Sequence, residues 1–159
     1  MGNGGEEWMT SFRGSFDYSI DAKGRVNIPA KFRKGLNPQA CDTFVIVRGP
    51  TNCLRAYPQD LWDIYEKEIA SRPETRHTLR HKRLLFSLLT DSKLDSQGRI
   101  TLTNKQLAVA GITKDVTLVG QANYIEIWDS NTYVEYLASE DDFDDMFFES
   151  VEAGLTRES

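Results

Sequence analysis

The chain has 159 residues, 40% hydrophobic and 27% charged, with a formal net charge of -5. Those values fit one folded unit or two very small ones, and exclude a fibrous or generally disordered protein. The charge is uneven: residues 135–159 carry -8 and the remaining 134 residues carry +3. The basic residues of that larger part concentrate in 13–34 and 72–83, so a polyanion can be met on one face while an acidic arm lies elsewhere.

From the beginning, Met1 to Glu7 is Gly-rich and acidic, with no basic n-region or apolar h-region, and reads as no secretory signal. Phe16, Tyr18 and Ile20 alternate with polar residues and predict a half-buried strand. Asp21 to Gly24 predicts a tight turn, with Gly24 free to take positive φ and the Asp21 carboxylate free to accept local backbone N–H bonds. In the strand that follows, Val26 and Ile28 share one face, while Arg25 and Asn27 share the other. Pro29 opens a short helix that Gly35 ends. Residues 44–47 and 54–57 form a hairpin around Gly49-Pro50-Thr51-Asn52. A helix over 59–71 follows, with Leu61, Trp62, Tyr65 and Ile69 on one stripe.

The pattern then returns. Asp21-Ala22-Lys23-Gly24-Arg25-Val26-Asn27-Ile28-Pro29 reappears as Asp95-Ser96-Gln97-Gly98-Arg99-Ile100-Thr101-Leu102-Thr103, at an offset of 74. Thr103 is the N-cap of a second short helix that Gly111 stops. A second hairpin falls at 116–119 and 124–128, its outgoing strand now offset by 71, and a second helix at 130–138. Phe143, Phe147 and Val151 recur every four residues and predict an amphipathic helix over 141–153 with an acidic outer face. The organisation is a first repeat at 15–60, a helical basic connector at 61–88, a second repeat at 89–132 and an acidic helical tail at 133–159. A module of this size buries little core alone, so the two copies share one. The expected fold is mainly β with peripheral helices (α+β): a pseudo-symmetric barrel built from two tandem repeats in one chain.

Chemical motifs are scarce. No G-x-x-x-x-G-K-[ST], G-x-G-x-x-G or G-x-S-x-G is present, so nucleotide-binding and serine-hydrolase chemistry have no anchor. His77 and His81 stand at i, i+4 spacing among Arg76, Arg80, Lys82 and Arg83, a setting that repels a cation, and no third ligand is indicated. Cys41 and Cys53 are read as reduced cytosolic thiols, each a buried small residue. The longest apolar run, Leu84-Leu85-Phe86 resuming at Leu88-Leu89, is far short of the ~20 residues of a membrane helix. No catalytic residue, metal, cofactor, membrane or small-molecule substrate is expected. Asp21 and Asp95 each sit in a turn beside their own Arg. They read as turn-forming, Arg-orienting carboxylates rather than a catalytic pair.

The duplicated arginines leave two function classes open. In one, Arg25 and Arg99 stand on the polar face of a strand and reach phosphate or guanine edges, so the protein is a sequence-specific DNA-binding regulator. In the other, the Asp-x-x-Gly-Arg turns are structural and the protein is a non-enzymatic scaffold. Charge favours the first copy for DNA, with +4 over residues 13–34 against +1 over 91–105. The candidate DNA-binding set is Lys23, Arg25, Asn27, Arg13, Arg33, Arg99 and Gln97, with Asp21, Gly24, Asp95 and Gly98 supporting the turns.

Phe12-Arg13-Gly14-x-Phe16, Asp21-x-Lys23-Gly24-Arg25-x-x-x-Pro29, Asp95-x-Gln97-Gly98-Arg99, Leu118-Val119-Gly120-Gln121 and Glu126-Ile127-Trp128 together resemble the MraZ family. That family belongs to the AbrB/SpoVT group of swapped-hairpin β-barrel transcription factors. The resemblance runs from Phe12 to about Ala138. It implies a cytoplasmic, nucleoid-associated bacterial regulator, a repressor of the division and cell-wall gene cluster. It also implies binding to direct repeats of double-stranded DNA upstream of its own operon, by a homo-oligomeric ring of several subunits. It places the DNA contacts on Arg25 and Lys23. Two features depart from the family pattern: Thr103 stands where the first copy has Pro29, and residues 1–11 precede the family's usual start.

Overall fold

The computed structural model describes residues 11–139 and 142–158, except for the side chains of 156–158. The reading of Met1 to Glu7 lies outside the described residues, as does residue 141, where the tail helix was expected to begin. The first copy contains β1 (Ser15–Ser19), β2 (Arg25–Asn27), the one-turn helix α1 (Ala30–Arg33), and the hairpin β3 (Thr43–Arg48) and β4 (Leu54–Pro58). Helices α2 (Gln59–Ser71) and α3 (Arg76–Phe86) follow. The second copy contains β5 (Thr90–Lys93), β6 (Arg99–Thr101), α4 (Asn104–Ala110), β7 (Asp115–Gly120), β8 (Ile125–Asp129) and α5 (Ser130–Ala138). The tail is helical through three abutting pieces: Phe143–Phe147, a π turn at Phe148–Glu152, and Ala153–Glu158.

Six strands form one antiparallel sheet in the order β1-β7-β8-β4-β3-β5, and β2 pairs with β6 in a separate ribbon. Exchanging the copies turns that order into its own reverse. The first strand of each copy lies against the third strand of the other, β1 on β7 and β5 on β3. The pseudo-twofold axis runs through two residue pairs, Val26 opposite Ile100 in the ribbon and Arg55 opposite Glu126 between β4 and β8. The expected barrel does not close. β1 and β5 remain sheet edges, while β2 and β6, three residues each, are too short to bridge them and pair with each other.

Alternation along the strands sorts side chains to two faces. Phe44, Ile46, Leu54, Ala56, Leu118 and Ile127 point to the main core, where Val26, Ile28, Ile100 and Leu102 of the ribbon and Phe32 of α1 pack onto them. Val45, Val47 and Tyr57 point the other way, under Trp62 of α2. Trp128 does the same under Tyr133 of α5. The molecule thus has three layers: ribbon with short helices, sheet, and long helices. The predicted stripe of α2 packs on the sheet, with Leu61, Tyr65 and Ile69 beside Trp62.

Where the second copy departs from proline, a capping box replaces ring rigidity. The Thr103 hydroxyl accepts from the Gln106 N–H at 3.1 Å, and Gln106 Oε1 accepts from the Thr103 N–H at 3.0 Å. Gln106 is fully buried and donates to the Leu88 carbonyl and the Thr90 hydroxyl. One cysteine corrects expectation. Cys53 is buried, but Cys41 is exposed, because it closes the 3-10 turn Pro38–Ala40 in a left-handed conformation that turns its side chain outward. Desolvation, then the nearby Glu126, pushes the Cys53 thiol up to about 12, so it stays protonated.

Gly24 sits at φ +78°, and a Cβ there would stand 2.4 Å from the Leu102 carbonyl oxygen of the other copy. Gly111 has a similar φ of +64° but open space around it. Left-handed backbone alone costs a non-glycine residue about 1–2 kcal/mol. Gly111→Ala is therefore expected to lower unfolding free energy by about 1 kcal/mol, and Gly24→Ala by roughly 3 kcal/mol or more, because a backbone carbonyl must also move. Urea denaturation of the two variants checks the ordering.

Candidate nucleic-acid interface

Each Asp-x-x-Gly-Arg segment closes on its own aspartate. Asp21 Oδ1 accepts from the backbone N–H of Lys23 at 2.9 Å and of Arg25 at 2.8 Å, and Oδ2 accepts from Arg25 Nε at 2.6 Å. Asp95 repeats this with the N–H groups of Gln97 and Arg99, both at 2.9 Å, and with Arg99 Nε at 2.8 Å. The backbone bond from Gly24 N–H to the Asp21 carbonyl completes the first turn, and that from Gly98 N–H to the Asp95 carbonyl completes the second. A carboxylate accepting several N–H bonds is favoured in its charged form. Both aspartates are accordingly held below the ordinary value of 3.8, first by the backbone N–H of their own Arg and then by its side chain and the second N–H.

The ribbon brings the two turns together. Leu102 N–H donates to the Gly24 carbonyl and Ile28 N–H to the Gly98 carbonyl, so each turn is strapped to the other copy's strand. Arg25 lies opposite Thr101 and Asn27 opposite Arg99. Val26 and Ile100 are buried beneath, so the four polar side chains form the outer face. Arg99 Nη1 also comes within 3.9 Å of Asp21 Oδ2, linking the copies electrostatically. Lys23 and Gln97 stand exposed on the turns themselves.

Arg33, on α1, donates from Nε to the Ile28 carbonyl at 3.1 Å. Its guanidinium lies over Gly98, occupying the space a Cβ would need. The first copy thus lends a cation to the second copy's turn. Arg13 is not brought to the ribbon. It precedes β1 whereas the Asp21 turn follows it, and roughly 20 Å of extended strand separates them. Thr101 on the outer face was not picked out from sequence, although the offset of 74 makes it the counterpart of Asn27. Among the described residues no group of three or more His, Cys, Asp or Glu side chains is placed to hold a metal ion, and no helix is long and apolar enough to cross a membrane.

Such a surface offers forked donors and amides at the spacing of a two-stranded ribbon, the shape and chemistry that reads base edges and phosphates in a major groove. The MraZ protein family matches twice in succession, over residues 11–84 and 85–154, one match per structural copy. The chain belongs to the MraZ family. It is similar to a transcriptional regulator MraZ from Natranaerobius thermophilus, 40% identical over 126 residues, which span 79% of this chain and 85% of that protein. The double family match explains why the sheet order is its own reverse.

The lowered aspartates set a pH dependence. A carboxylate whose folded value is depressed contributes stability above its unfolded value, and loses it as pH falls through the folded value. The two MraZ turns are therefore held at neutral and mildly acidic pH and loosen only below the ordinary aspartate range. Asp21→Asn with Asp95→Asn is expected to be less stable than the parent near pH 7, with the difference shrinking towards about pH 3. Urea midpoints across that range test this, and a difference that grew on acidification would contradict it.

Proposed function

We propose that this chain is a sequence-specific DNA-binding transcriptional regulator, not an enzyme, that acts in the cytoplasm on the nucleoid. The observation that carries the proposal is the pair of Asp-x-x-Gly-Arg turns laid side by side on one ribbon, with Arg25, Asn27, Arg99 and Thr101 facing outward above a buried Val26–Ile100 floor. Its similarity to a protein named a transcriptional regulator supports the same reading. In its full form the proposal is a repressor of the division and cell-wall gene cluster that binds direct repeats upstream of its own operon. One chain presents one ribbon, and few phosphate contacts follow from so small a surface. Linking several copies in a ring multiplies affinity by about 10²–10⁴ when repeat spacing matches subunit spacing.

Arg25, Lys23, Asn27 and Gln97 are the proposed contacts at the ribbon, with Arg33 and Arg99 contributing charge. Arg13 is proposed as a phosphate contact outside the ribbon. The Arg25 side chain is 32% exposed and paired with one aspartate, whereas that of Arg99 is 21% exposed and faces both. Exchanging the aspartate for a phosphate or guanine edge is thus easier for Arg25. The internal Asp–Arg pairs also favour a second reading, a non-enzymatic scaffold whose turns are purely structural.

Binding of wild-type and variant chains to a direct-repeat array at one salt concentration separates the two. Arg25→Ala is expected to abolish detectable binding with the fold intact, and Arg99→Ala to weaken it less. A base contact is worth about 1–3 kcal/mol, and the loss recurs at every engaged repeat. Lys23→Ala is expected to reduce the salt slope by about one unit per site. A larger effect of Arg99→Ala overturns the first-copy assignment, and no effect of either favours the scaffold.

A further inference from the structure

The long-helix layer holds an open groove of about 800 Å³ between α2, α3 and the β3–β4 hairpin. Tyr57, Trp62 and Tyr65 line it on one side and Leu84 and Leu85 of α3 on the other. Leu84 is 45% exposed although it faces other apolar groups. The polar residues of the groove are mainly cationic: Arg48, Arg72 and Arg80, with Glu68 as the one acid among the lining residues. Deeper in, Arg55 stacks over the Tyr124 ring and donates to the Tyr57 hydroxyl. Its Nε is buried and has no hydrogen-bond partner among the described residues.

The same chain carries a surface of opposite character. The tail helix exposes Phe143, Met146, Phe147, Phe148, Val151 and Leu155, with Phe143 at 67%. Between 142 and 152 the sequence has Asp142, Asp144, Asp145, Glu149 and Glu152 and no base. A four-residue repeat normally drifts around a helix of 3.6 residues per turn. The wider π turn at Phe148–Glu152 counteracts that drift, so Phe143, Phe147 and Val151 stay on one face. Contiguous exposed aromatic surface of this extent marks an interaction site.

Topology separates the two surfaces within one molecule. β4 and β8 are antiparallel neighbours at the centre of the sheet, β4 leading into α2 and β8 into α5. Antiparallel strands deliver these helices to opposite ends of the sheet. The tail, which follows α5, holds in the second copy the chain position that α3 holds in the first. A groove at one end and its complement at the other form a head-to-tail contact, which closes into a ring when the rotation allows.

We infer that the acidic, aromatic tail helix of one copy docks in the cationic groove between α2 and α3 of a second copy. Phe143, Phe147 and Val151 serve as anchors against Tyr57, Trp62, Leu84 and Leu85, in the manner of an amphipathic helix in a groove. Tail carboxylates meet Arg48, Arg72 and Arg80 at the rim. The inference rests on the oligomeric part of the proposed function and on none of its DNA-binding part.

The test measures mass in solution by light scattering, without DNA, so it can fail independently of the Arg25 experiment. The groove variant is Arg72→Glu with Arg80→Glu, and the tail variant is Phe143→Asp with Phe147→Asp. All four positions are exposed, and circular dichroism verifies that each variant is folded. The wild-type chain is expected to assemble into a species of several chains, and each variant alone to run as a single chain. A 1:1 mixture of the two is expected to stop at two chains, because only one intact groove meets one intact tail. A wild-type monomer, a variant that keeps the wild-type mass, or a mixture that stays at one chain each overturns the inference.

Discussion

The structure depends on the pairing of β2 with β6. Each strand offers only three residues, and neither copy has a partner for it within its own sequence. The pairing buries Val26 against Ile100 at 0% exposure on the axis, and straps each turn to the other copy through the Gly24 and Gly98 carbonyls. Without it the main core would lose the layer that covers one sheet face, and the two arginine turns would separate. The same contact therefore stabilises the fold and assembles the candidate interface. This is why Gly24 has no room for a Cβ: the backbone of the other copy approaches as closely as a glycine permits.

Pseudo-symmetry has a second consequence, at the centre of the sheet. Residues on the axis face their own counterparts, so in a dimer of identical modules Arg55 would face another arginine. Joining the copies in one chain lets the second carry Glu126 at that position, and the pair becomes opposite in charge across β4 and β8. The same freedom lets the basic α3 of the first copy differ from the acidic tail of the second. One architecture, used twice, carries a basic helix after one copy, an acidic tail after the other, and a ribbon that both copies share.

Much of this was legible in the sequence. The Asp-x-x-Gly-Arg turns are local objects: the carboxylate reaches N–H groups two and four residues on, and glycine permits the left-handed step between them. The helix over 59–71 follows from its apolar stripe, that over 130–138 from the repeat of the first copy's pattern, and the Thr103 cap from a hydroxyl residue standing where the second short helix begins. Less was legible wherever a residue's role depends on a distant partner. β5 has no apolar alternation in Thr90-Asp91-Ser92-Lys93 and becomes a strand because β3 offers a ladder. Cys41 is exposed because a left-handed turn points it outward. Gln106, polar and fully buried, makes sense only once the Leu88 carbonyl and Thr90 hydroxyl stand beside it.

The sequence by itself determined the duplication, the two turns and the helices, since each rests on interactions spanning a few residues. Tertiary structure alone decided that the sheet stays open. Closure requires two edges to meet, and whether three-residue strands can bridge them is a matter of reach in space that no local pattern encodes. It also decided that Arg33 reaches the second copy's turn, that Arg13 is held at the far end of β1, and that Arg99 faces two carboxylates where Arg25 faces one. These are distances between segments more than 60 residues apart in two of the three cases, and they exist only after the copies have exchanged strands.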